Sequence, residues 1–353
     1  MAVTGTDSLR DMLRHLARPG ELYTSAGENW VTCTACGHRC RIAPNHEGIC
    51  KVRFNQNGTL MVPHGYVAGL QIDPIEKKPF FHVLPGARAL SFGMLGCDYH
   101  CGYCQNWYTS QALRDPAAGT MPEERSAEEI VALAVRHHVP VITSTYNEPL
   151  ITSEWAAAIF RLARQHGIRC SYVSNGNGTP EVLAYLKPCI DYVKVDLKSF
   201  QQKNYQQLGG KLDTVLATIA QLHEMGIWIE VVTLIVPGFN DSPGELHEIA
   251  HFLVSVSADI PWHVTAFHEE YKMTDPPRTS ADGLLRAAKI GYDNGLHFVY
   301  AGNLPGRTER LEDTRCPGCG TTVVKRTGFS VTANLLREGS CPKCGYHLPG
   351  RWT

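Results

Sequence analysis

Residues 96–107 read GCDYHCGYCQNW and place Cys97, Cys101 and Cys104 within eight positions of the chain. The spacing is C-x3-C-x2-C, and Tyr103 stands directly before the last cysteine. Three thiols on one short loop can each ligate one iron of a [4Fe–4S] cluster, which leaves the fourth iron with an open coordination position. The alternative is a zinc site, for which His100 is available as the fourth ligand.

The composition of the 353-residue chain is typical of a globular protein, with 43% hydrophobic and 19% charged residues. A formal charge of -1 gives no net basic field that would attract nucleic acid or an anionic membrane. The N-terminal residues lack the apolar core of a secretion signal, and no stretch approaches the ~18 apolar residues of a membrane span. We therefore expect a cytoplasmic protein that does not contact the membrane.

The three-cysteine loop follows the first of seven apolar, β-branched segments. These segments are predicted strands at residues 89–95, 140–145, 168–174, 191–197, 227–236, 262–267 and 296–301. Amphipathic helical stretches separate most of them, and alternation of strands and helices predicts right-handed βαβ units around a parallel sheet. The predicted fold class is therefore α/β, with seven strands that suit a partial (β/α) TIM-like barrel.

Several helix ends are marked by local signals. Ser126 and Glu129 form a capping-box pair, and Pro180 follows Thr179 at a first helical position. Another predicted helix begins at Ser153 and stops at Gly167, and the stretch KLDTVLATIAQLHEMG closes on Gly226.

Thirteen cysteines in a chain without an export signal favour metal ligation over disulfides. The sequences CPGCG at 316–320 and CPKCG at 341–345 have zinc-ribbon spacing, with four ligands: Cys316, Cys319, Cys341 and Cys344. Such a ribbon either contacts nucleic acid or protein, or serves as a mini-domain held together by its metal. The second interpretation is favoured, because so few residues cannot build a sufficient core.

A second set of four cysteines lies near the N-terminus, with the spacing C-x2-C-x3-C-x9-C: Cys33, Cys36, Cys40 and Cys50. This set fits a structural zinc or an auxiliary [4Fe–4S] cluster, and His38 could replace one cysteine. Its distance in sequence from the barrel loops favours a structural metal. The remaining Cys170 and Cys189 lie in or beside apolar strand patterns and are predicted to be buried structural residues.

We predict three parts: an N-terminal Cys-rich metal-binding segment at residues 1–85, a barrel at 86–305 and a zinc ribbon at 306–353. Ligands of parallel barrels bind at the carboxyl ends of the strands. The polar residues that follow successive strands there are Glu148 in TYNEP, Ser174 and Asn175 in SNGNG, Asp196 and Lys198 in VDLK, and His268 in FHEEY. Each motif also has a structural explanation when taken singly. Glu148 could cap a helix, the SNGN stretch could form a turn, and the DLK stretch could end a surface strand.

The cysteine motif followed by Gln105 and Asn106 resembles the signature of the radical S-adenosylmethionine (SAM) superfamily. Two longer stretches, DPIEKKPFFHVLPGARALSFGMLGCDYHCGYCQNW and GFSVTANLL with CPKCGYHLPGR, resemble the radical SAM component of the AmmeMemoRadiSam system. That component is related to the pyruvate formate-lyase activating enzymes. The resemblance covers nearly the whole chain.

The resemblance implies a role for each matching residue. Cys97, Cys101 and Cys104 would hold the cluster, SAM would chelate the open iron, and Tyr103 would pack on the adenine. TYNEP stands where the activating enzymes have a GGE motif, so Glu148 would accept a hydrogen bond from the SAM amino group. The two glycines of that motif are replaced here by Tyr146 and Asn147.

The other matching residues lie in three further motifs. Ser174 and Asn175 match a T-N-G motif and would contact the ribose or carboxylate, while His268 would lie near the ribose. Asp196 and Lys198 belong to a matching DLK motif, in which the lysine would pair with the carboxylate. Val173 stands where the activating enzyme has an aspartate, so its monovalent-cation site is expected to be absent.

The implied function is reductive cleavage of SAM to methionine and a 5′-deoxyadenosyl radical, which abstracts hydrogen from an unidentified substrate. The chain shows no flavin or nicotinamide motif, so a one-electron reductant such as flavodoxin or ferredoxin is the expected partner. The substrate could be a protein, an RNA or a small molecule, and the ribbon favours a macromolecule. The alternatives are a glycyl-radical-enzyme activase within this class, and a metal-bearing sensor or binding protein without turnover.

Overall fold

A central eight-stranded sheet organises the computed structural model, which describes residues 8–353. The strands of this sheet are β8 (Gly69–Pro74), β9 (Arg88–Gly93), β11 (Val141–Ser144), β12 (Arg169–Ser174), β13 (Tyr192–Asp196), β14 (Trp228–Ile235), β15 (Trp262–Ala266) and β16 (Val299–Gly302). They lie in the order β16-β15-β14-β13-β12-β11-β9-β8. Apart from the edge strand β8, each pairs in parallel with its neighbours.

The predicted α/β class and parallel sheet are confirmed, and all seven predicted strands are present. Strand β8 was not predicted, and it pairs antiparallel with β9 at the sheet edge. Its sequence GLQIDP has few apolar residues and ends in proline, so it lacks the buried apolar pattern that marks the other strands. The order of pairing leaves β8 and β16 at opposite edges, as expected of a partial barrel.

Helices lie between the parallel strands and bury their apolar faces against the sheet. They are α2 (Trp107–Ser110), α3 (Ala127–Arg136), α4 (Ser153–Gln165), α5 (Pro180–Leu186), α6 (Gln202–Leu208), α7 (Leu212–Glu224), α8 (Pro243–Val256) and α9 (Ala281–Asp293), with short 3-10 helices at Ile75–Lys77 and Pro149–Thr152. The predicted capping box is confirmed, since Ser126 and Glu129 exchange hydrogen bonds of 2.8 and 3.1 Å. Within residues 8–353, no helix is both long and apolar enough to cross a bilayer.

The N-terminal part consists of small antiparallel sheets and one helix. Its elements are α1 (Leu9–His15), β1 (Arg18–Pro19), β2 (Tyr23–Ser25), β3 (Val31–Cys33), β4 (Arg41–Ile42), β5 (Phe54–Gln56), β6 (Thr59–Val62) and β7 (Tyr66–Val67), the last paired with β10 (Glu123–Glu124). Residues 1–7, where the predicted N-terminal segment begins, lie outside the described residues. The predicted divisions at 85/86 and 305/306 stay predictions.

The C-terminal part forms a three-stranded antiparallel sheet of β17 (Thr314–Arg315), β18 (Thr322–Thr327) and β19 (Ser330–Asn334). It packs beneath the amino-terminal ends of the barrel strands, where Arg326 donates to the carbonyl of Phe81 at 2.6 Å. The backbone N–H groups of Phe81 and His82 donate to the buried Glu230 at 3.0 and 2.9 Å, and His263 lies 2.7 Å from the same carboxylate. A buried polar network therefore joins the C-terminal part to this end of the sheet.

His82 is fully buried in this network, with Nδ1 2.7 Å from the carbonyl of Pro349 and Nε2 2.6 Å from the hydroxyl of Tyr300. Burial lowers its pKa to about 4. An unfolded histidine binds a proton near pH 6.5, so the unfolded chain gains a proton in the window between the two values. The contribution of the neutral His82 ring to the free energy of unfolding is therefore fully present above about pH 6.5 and is lost as the pH falls toward 4.

We expect the urea midpoint to fall between pH 6.5 and 4, with the ring of His82 contributing at most about 3 kcal/mol to that loss. A His82→Gln variant should be less stable at pH 7 and should show a shallower pH dependence in this window. Urea titrations followed by circular dichroism at several pH values test this. The control is His251→Gln on the exposed face of α8, and an unchanged slope in the His82 variant would contradict the assignment.

Candidate active site

The three-cysteine loop leaves the carboxyl end of β9. Gly93 is the last residue of this strand. Glycine fits there because a side chain would meet the carbonyl oxygen of Thr145 at 2.5 Å. The backbone N–H of Tyr99 donates to the sulfur of Cys97 at 3.3 Å, and the hydroxyl of Ser110 lies 3.2 Å from the sulfur of Cys104. Hydrogen bonding to sulfur stabilises the thiolate, which is the form that binds metal.

The spacing of the sulfur atoms separates a cluster from a single ion. Four sulfurs bound tetrahedrally to zinc at about 2.3 Å lie about 3.8 Å apart. Among the residues described, only the C-terminal four-cysteine set brings three or more ligand atoms within 4.8 Å of one another. The sulfurs of the three loop cysteines therefore do not all lie within the distance expected of ligands to one ion. His100 packs against Gly209 instead of joining them, which leaves the zinc alternative without its fourth ligand.

Asp98, between the first two loop cysteines, is completely buried. Its two carboxylate oxygens accept hydrogen bonds from the side-chain amides of Asn175 at 2.8 Å and Asn177 at 2.7 Å. Both asparagines belong to the SNGNG loop after β12. This contact joins the cysteine loop to the end of a strand two places away in the sheet.

Glu148 is buried and receives donors from two directions. One oxygen, Oε1, accepts from the hydroxyl of Ser174 at 2.7 Å and from the backbone of Leu150 at 3.1 Å, and Oε2 accepts from the backbone of Asn175 at 2.7 Å. Glu148 therefore caps the 3-10 helix that follows, which is the structural role that the sequence also allowed for it. Burial, and then the charge of Asp98, raise the pKa of Glu148 well above its usual value. The second oxygen has one donor and retains room for another.

Tyr146 occupies a backbone conformation that favours glycine, with φ of +69°. It stands where the GGE motif of the activating enzymes has glycine. Contacts of its ring compensate for the backbone strain, because the Lys78 ammonium lies 4.7 Å from the ring centroid and 3.1 Å from the hydroxyl.

Asp196 and Lys198 form a second set of charges at the end of β13. The ammonium of Lys198 lies 3.2 Å from the Asp196 carboxylate, which is also paired with Lys194. Burial alone would lower the pKa of Lys198, but Asp196 and then Cys101 outweigh it and raise that pKa well above its usual value. A fixed positive charge therefore lies beside the cysteine loop. Tyr103 is buried in the same region, edge-on to Phe239 at 6.0 Å between ring centroids.

His268 follows β15 and is exposed at the rim. Its Nε2 lies 3.3 Å from the amide of Gln105, next to the third loop cysteine. Trp107 packs nearby, stacked on Tyr271 at 4.9 Å and donating to Glu270 at 3.3 Å. All the predicted rim residues therefore lie on the loops that surround the three cysteines, in three contact sets.

Comparison with known proteins identifies the family. Residues 93–253 match the Radical SAM superfamily. The chain is also 36% identical over 332 residues to an uncharacterized protein of Methanocaldococcus jannaschii, a match that covers 93% of this chain and 98% of that protein.

The chain belongs to the radical SAM superfamily. It is 26% identical over 198 residues to a pyruvate formate-lyase-activating enzyme of Streptococcus mutans, which covers 52% of this chain and 72% of that enzyme. Among solved structures, a radical SAM methyltransferase from Sphaerobacter thermophilus aligns over 64% of this chain and 69% of its own, with 16% identity and a TM-score of 0.48.

Radical SAM proteins use a [4Fe–4S] cluster and SAM, and these are therefore the cofactors of this chain. The local chemistry fits the cluster, because three sulfurs lie on one loop and two of them have hydrogen-bonding neighbours. Lys198 adds a positive charge that offsets the negative charge of the thiolates.

Two asparagines and an aspartate at this radical SAM site were not predicted. Asp98 and Asn177 join the loops, and the buried Asn147 accepts from the backbone of Met94 at 3.0 Å. Each stands within a motif that was recognised for another residue. The available signal was position in the motif, since all three flank predicted ligands in CDYHC, TYNEP and SNGNG.

The C-terminal cysteine group (Cys316, Cys319, Cys341, Cys344) is at the opposite end of the barrel from the loop. Its sulfurs approach to 3.5 Å between Cys316 and Cys344 and to 3.7 Å between Cys319 and Cys341. These distances suit four thiolates around one zinc ion. Cys170 and Cys189 are buried outside every cysteine group, which confirms their prediction.

We expect Cys344→Ser to lose about one zinc per chain, because removal of one of four thiolates opens a closed structural site. Metal analysis of the anaerobically purified protein measures this, with Cys189→Ser as the control for loss of a cysteine elsewhere. Unchanged zinc in the Cys344 variant would contradict the assignment.

Proposed function

We propose that the chain reductively cleaves SAM and presents the resulting radical to a hydrogen-bearing substrate. The observation that carries this proposal is the three-cysteine loop at the end of β9, surrounded by polar side chains from β11, β12, β13 and β15. Isolated motifs have structural explanations, but their meeting around three sulfurs at one end of a parallel sheet is typical of a catalytic rim.

In this proposal Cys97, Cys101 and Cys104 bind the cluster through their thiolates. When bound, the cluster supplies one electron that splits the C5′–S bond of SAM into methionine and a 5′-deoxyadenosyl radical. The electron comes from a cytoplasmic one-electron reductant such as flavodoxin or ferredoxin. The protein has to orient SAM and exclude competing hydrogen donors.

The roles of the other rim residues follow from their partners. Glu148 has one oxygen with room for a further donor, which suits the SAM amino group. Lys198 carries a fixed positive charge beside the cysteines, which suits the SAM carboxylate. Ser174 and Asn175 hold Glu148 in place through two hydrogen bonds of 2.7 Å, so they act first as positioning residues.

Further contacts to SAM are proposed for the rest of the predicted set. Tyr103 would pack on the adenine and His268 would lie near the ribose, while Asp196 fixes the position of the lysine ammonium. Each of these roles is taken from the family resemblance and from the location of the residue on the rim.

The activase function is the second candidate, because several relatives are named pyruvate formate-lyase-activating enzymes. In that case the substrate would be a partner protein that acquires a glycyl radical. The C-terminal cysteine group lies at the far end of the barrel, so its presence no longer favours a macromolecular substrate. The proposed substrate class therefore still spans proteins, RNA and small molecules.

We expect Cys104→Ala to abolish formation of both methionine and 5′-deoxyadenosine, because the cluster loses one of three thiolates. The assay uses protein reconstituted anaerobically with iron and sulfide, then reduced with dithionite in the presence of SAM, with chromatographic detection of both products. Cys189→Ala serves as the matched control and should keep wild-type activity. Product formation by the Cys104 variant, or its absence from a cluster-loaded wild type, would overturn the proposal.

Lys198→Met should weaken SAM binding about tenfold to a hundredfold while leaving the iron content unchanged, since it removes a charge-assisted hydrogen bond. Equilibrium binding of SAM to the loaded protein gives the affinity. Lys203→Met, on the exposed side of α6, is the matched control. Equal affinities for the two variants would exclude the proposed contact with the carboxylate.

A further inference from the structure

The N-terminal cysteine group (Cys33, Cys36, Cys40, Cys50) is built on a hairpin and a turn. The backbone of Cys33 donates to the carbonyl of Cys40 at 2.9 Å, so these residues flank a loop that carries Cys36. The turn around residue 50 closes on this hairpin, where the backbone of Ile49 donates to the sulfur of Cys40 at 3.5 Å. The hairpin and the turn thus bring the four thiols of this short segment into one region.

This group lies directly behind the three-cysteine loop, although the sequence separates them by about 50 residues. A side chain at Gly96 would meet the carbonyl oxygen of Cys50 at 3.0 Å. Arg114 donates both to the carbonyl of Ile49 at 2.6 Å and to that of Tyr99 at 2.9 Å. The backbone of Gly37 donates to Asn177 at 2.8 Å, which in turn holds Asp98. Distance in sequence, which favoured a remote structural metal, is therefore not distance in space.

A buried cation and a buried carboxylate both lie near the N-terminal group, and the charge of the carboxylate, Asp98, raises the pKa of Cys36 after burial has done so. Arg53 is 1% exposed and forms an ion pair with Glu154 at 2.7 Å. Its Nε is buried without a hydrogen-bond partner among the described residues, and the thiols of Cys33 and Cys50 are its close electrostatic neighbours. A buried cation beside buried thiols is stabilised when those thiols are ionised on a metal.

The four sulfurs of the N-terminal group are not as close together as those of the C-terminal cysteine group. The C-terminal cysteine group provides a standard within the same chain, with sulfur contacts of 3.5 and 3.7 Å and all ligand atoms within 4.8 Å. No three ligand atoms of the N-terminal group meet that limit within the described part of the chain. In a [4Fe–4S] cluster each cysteine binds a different iron, so the four sulfurs stand farther apart than around one ion.

We propose that the N-terminal cysteine group binds a second [4Fe–4S] cluster rather than zinc. Four thiolates complete the coordination of all four irons, so this cluster has no open position and differs in kind from the one on the loop. The proposal goes beyond SAM cleavage and does not rest on it, because it concerns the metal content of a separate site.

The test uses the full chain purified anaerobically from iron-replete cells, carrying Cys97→Ala, Cys101→Ala and Cys104→Ala together. We expect this triple variant to keep about four iron and about four sulfide per chain, with about one zinc on the C-terminal group. After dithionite reduction it should show the electron paramagnetic resonance signal of a [4Fe–4S]⁺ cluster. Adding Cys36→Ala and Cys50→Ala should remove this iron, while adding Cys189→Ala should not.

A triple variant that contains about two zinc per chain and no iron overturns the proposal, as does one that leaves the N-terminal group without metal. Should the five-fold variant fail to fold, the electron paramagnetic resonance spectrum of the reduced wild type tests the proposal instead. It should show two cluster signals, of which addition of SAM changes one and leaves the other. A single signal in iron-replete wild type contradicts the second cluster. Loss of SAM cleavage with both signals present would contradict the proposed function alone.

Discussion

The buried carboxylate of Asp98 is the contact on which the arrangement of this site depends. A carboxylate removed from water needs donors for both oxygens, and here two asparagine amides of the SNGNG loop provide them. The same loop supplies Ser174 and a backbone N–H to Glu148, so two buried acids share one set of neighbours. Because like charges disfavour each other, the charge of Asp98 adds to burial in raising the pKa of Glu148.

Much of the fold could be predicted because strands and helices of a parallel α/β protein leave strong local patterns. The seven parallel strands are rich in apolar and β-branched residues, and helix ends carry signals such as Ser126 with Glu129. Strand β8 escaped prediction because an edge strand needs no such run. The rim residues followed from motif positions, but their partners did not. Nothing in the sequence pairs Asp98 with Asn177, since that contact depends on how two loops meet in space.

The two ends of the sheet have different chemistry. At the carboxyl end, thiols and charged groups are left with capacity for further partners. At the amino end, the acid Glu230 is saturated by two backbone N–H groups and by His263, and Arg326 closes the space beneath. A carboxylate whose oxygens are occupied by fixed donors adds rigidity and little reactivity, whereas groups with free hydrogen-bonding capacity favour binding.

The polar network at the amino end also bears on the order in which the molecule is completed. The ring of His82 hydrogen-bonds to the carbonyl of Pro349, which lies 267 positions later in the chain, and Val83 forms a β-bridge with Arg351. The amino end of the sheet therefore cannot make these contacts until residues 349–351 have been synthesised. Contacts of such long range are slow to form and costly in chain entropy. Until residues 349–351 are in place, the ring of His82 lacks its hydrogen-bond partner at Pro349, so the polar network at the amino end of the sheet is completed late in folding.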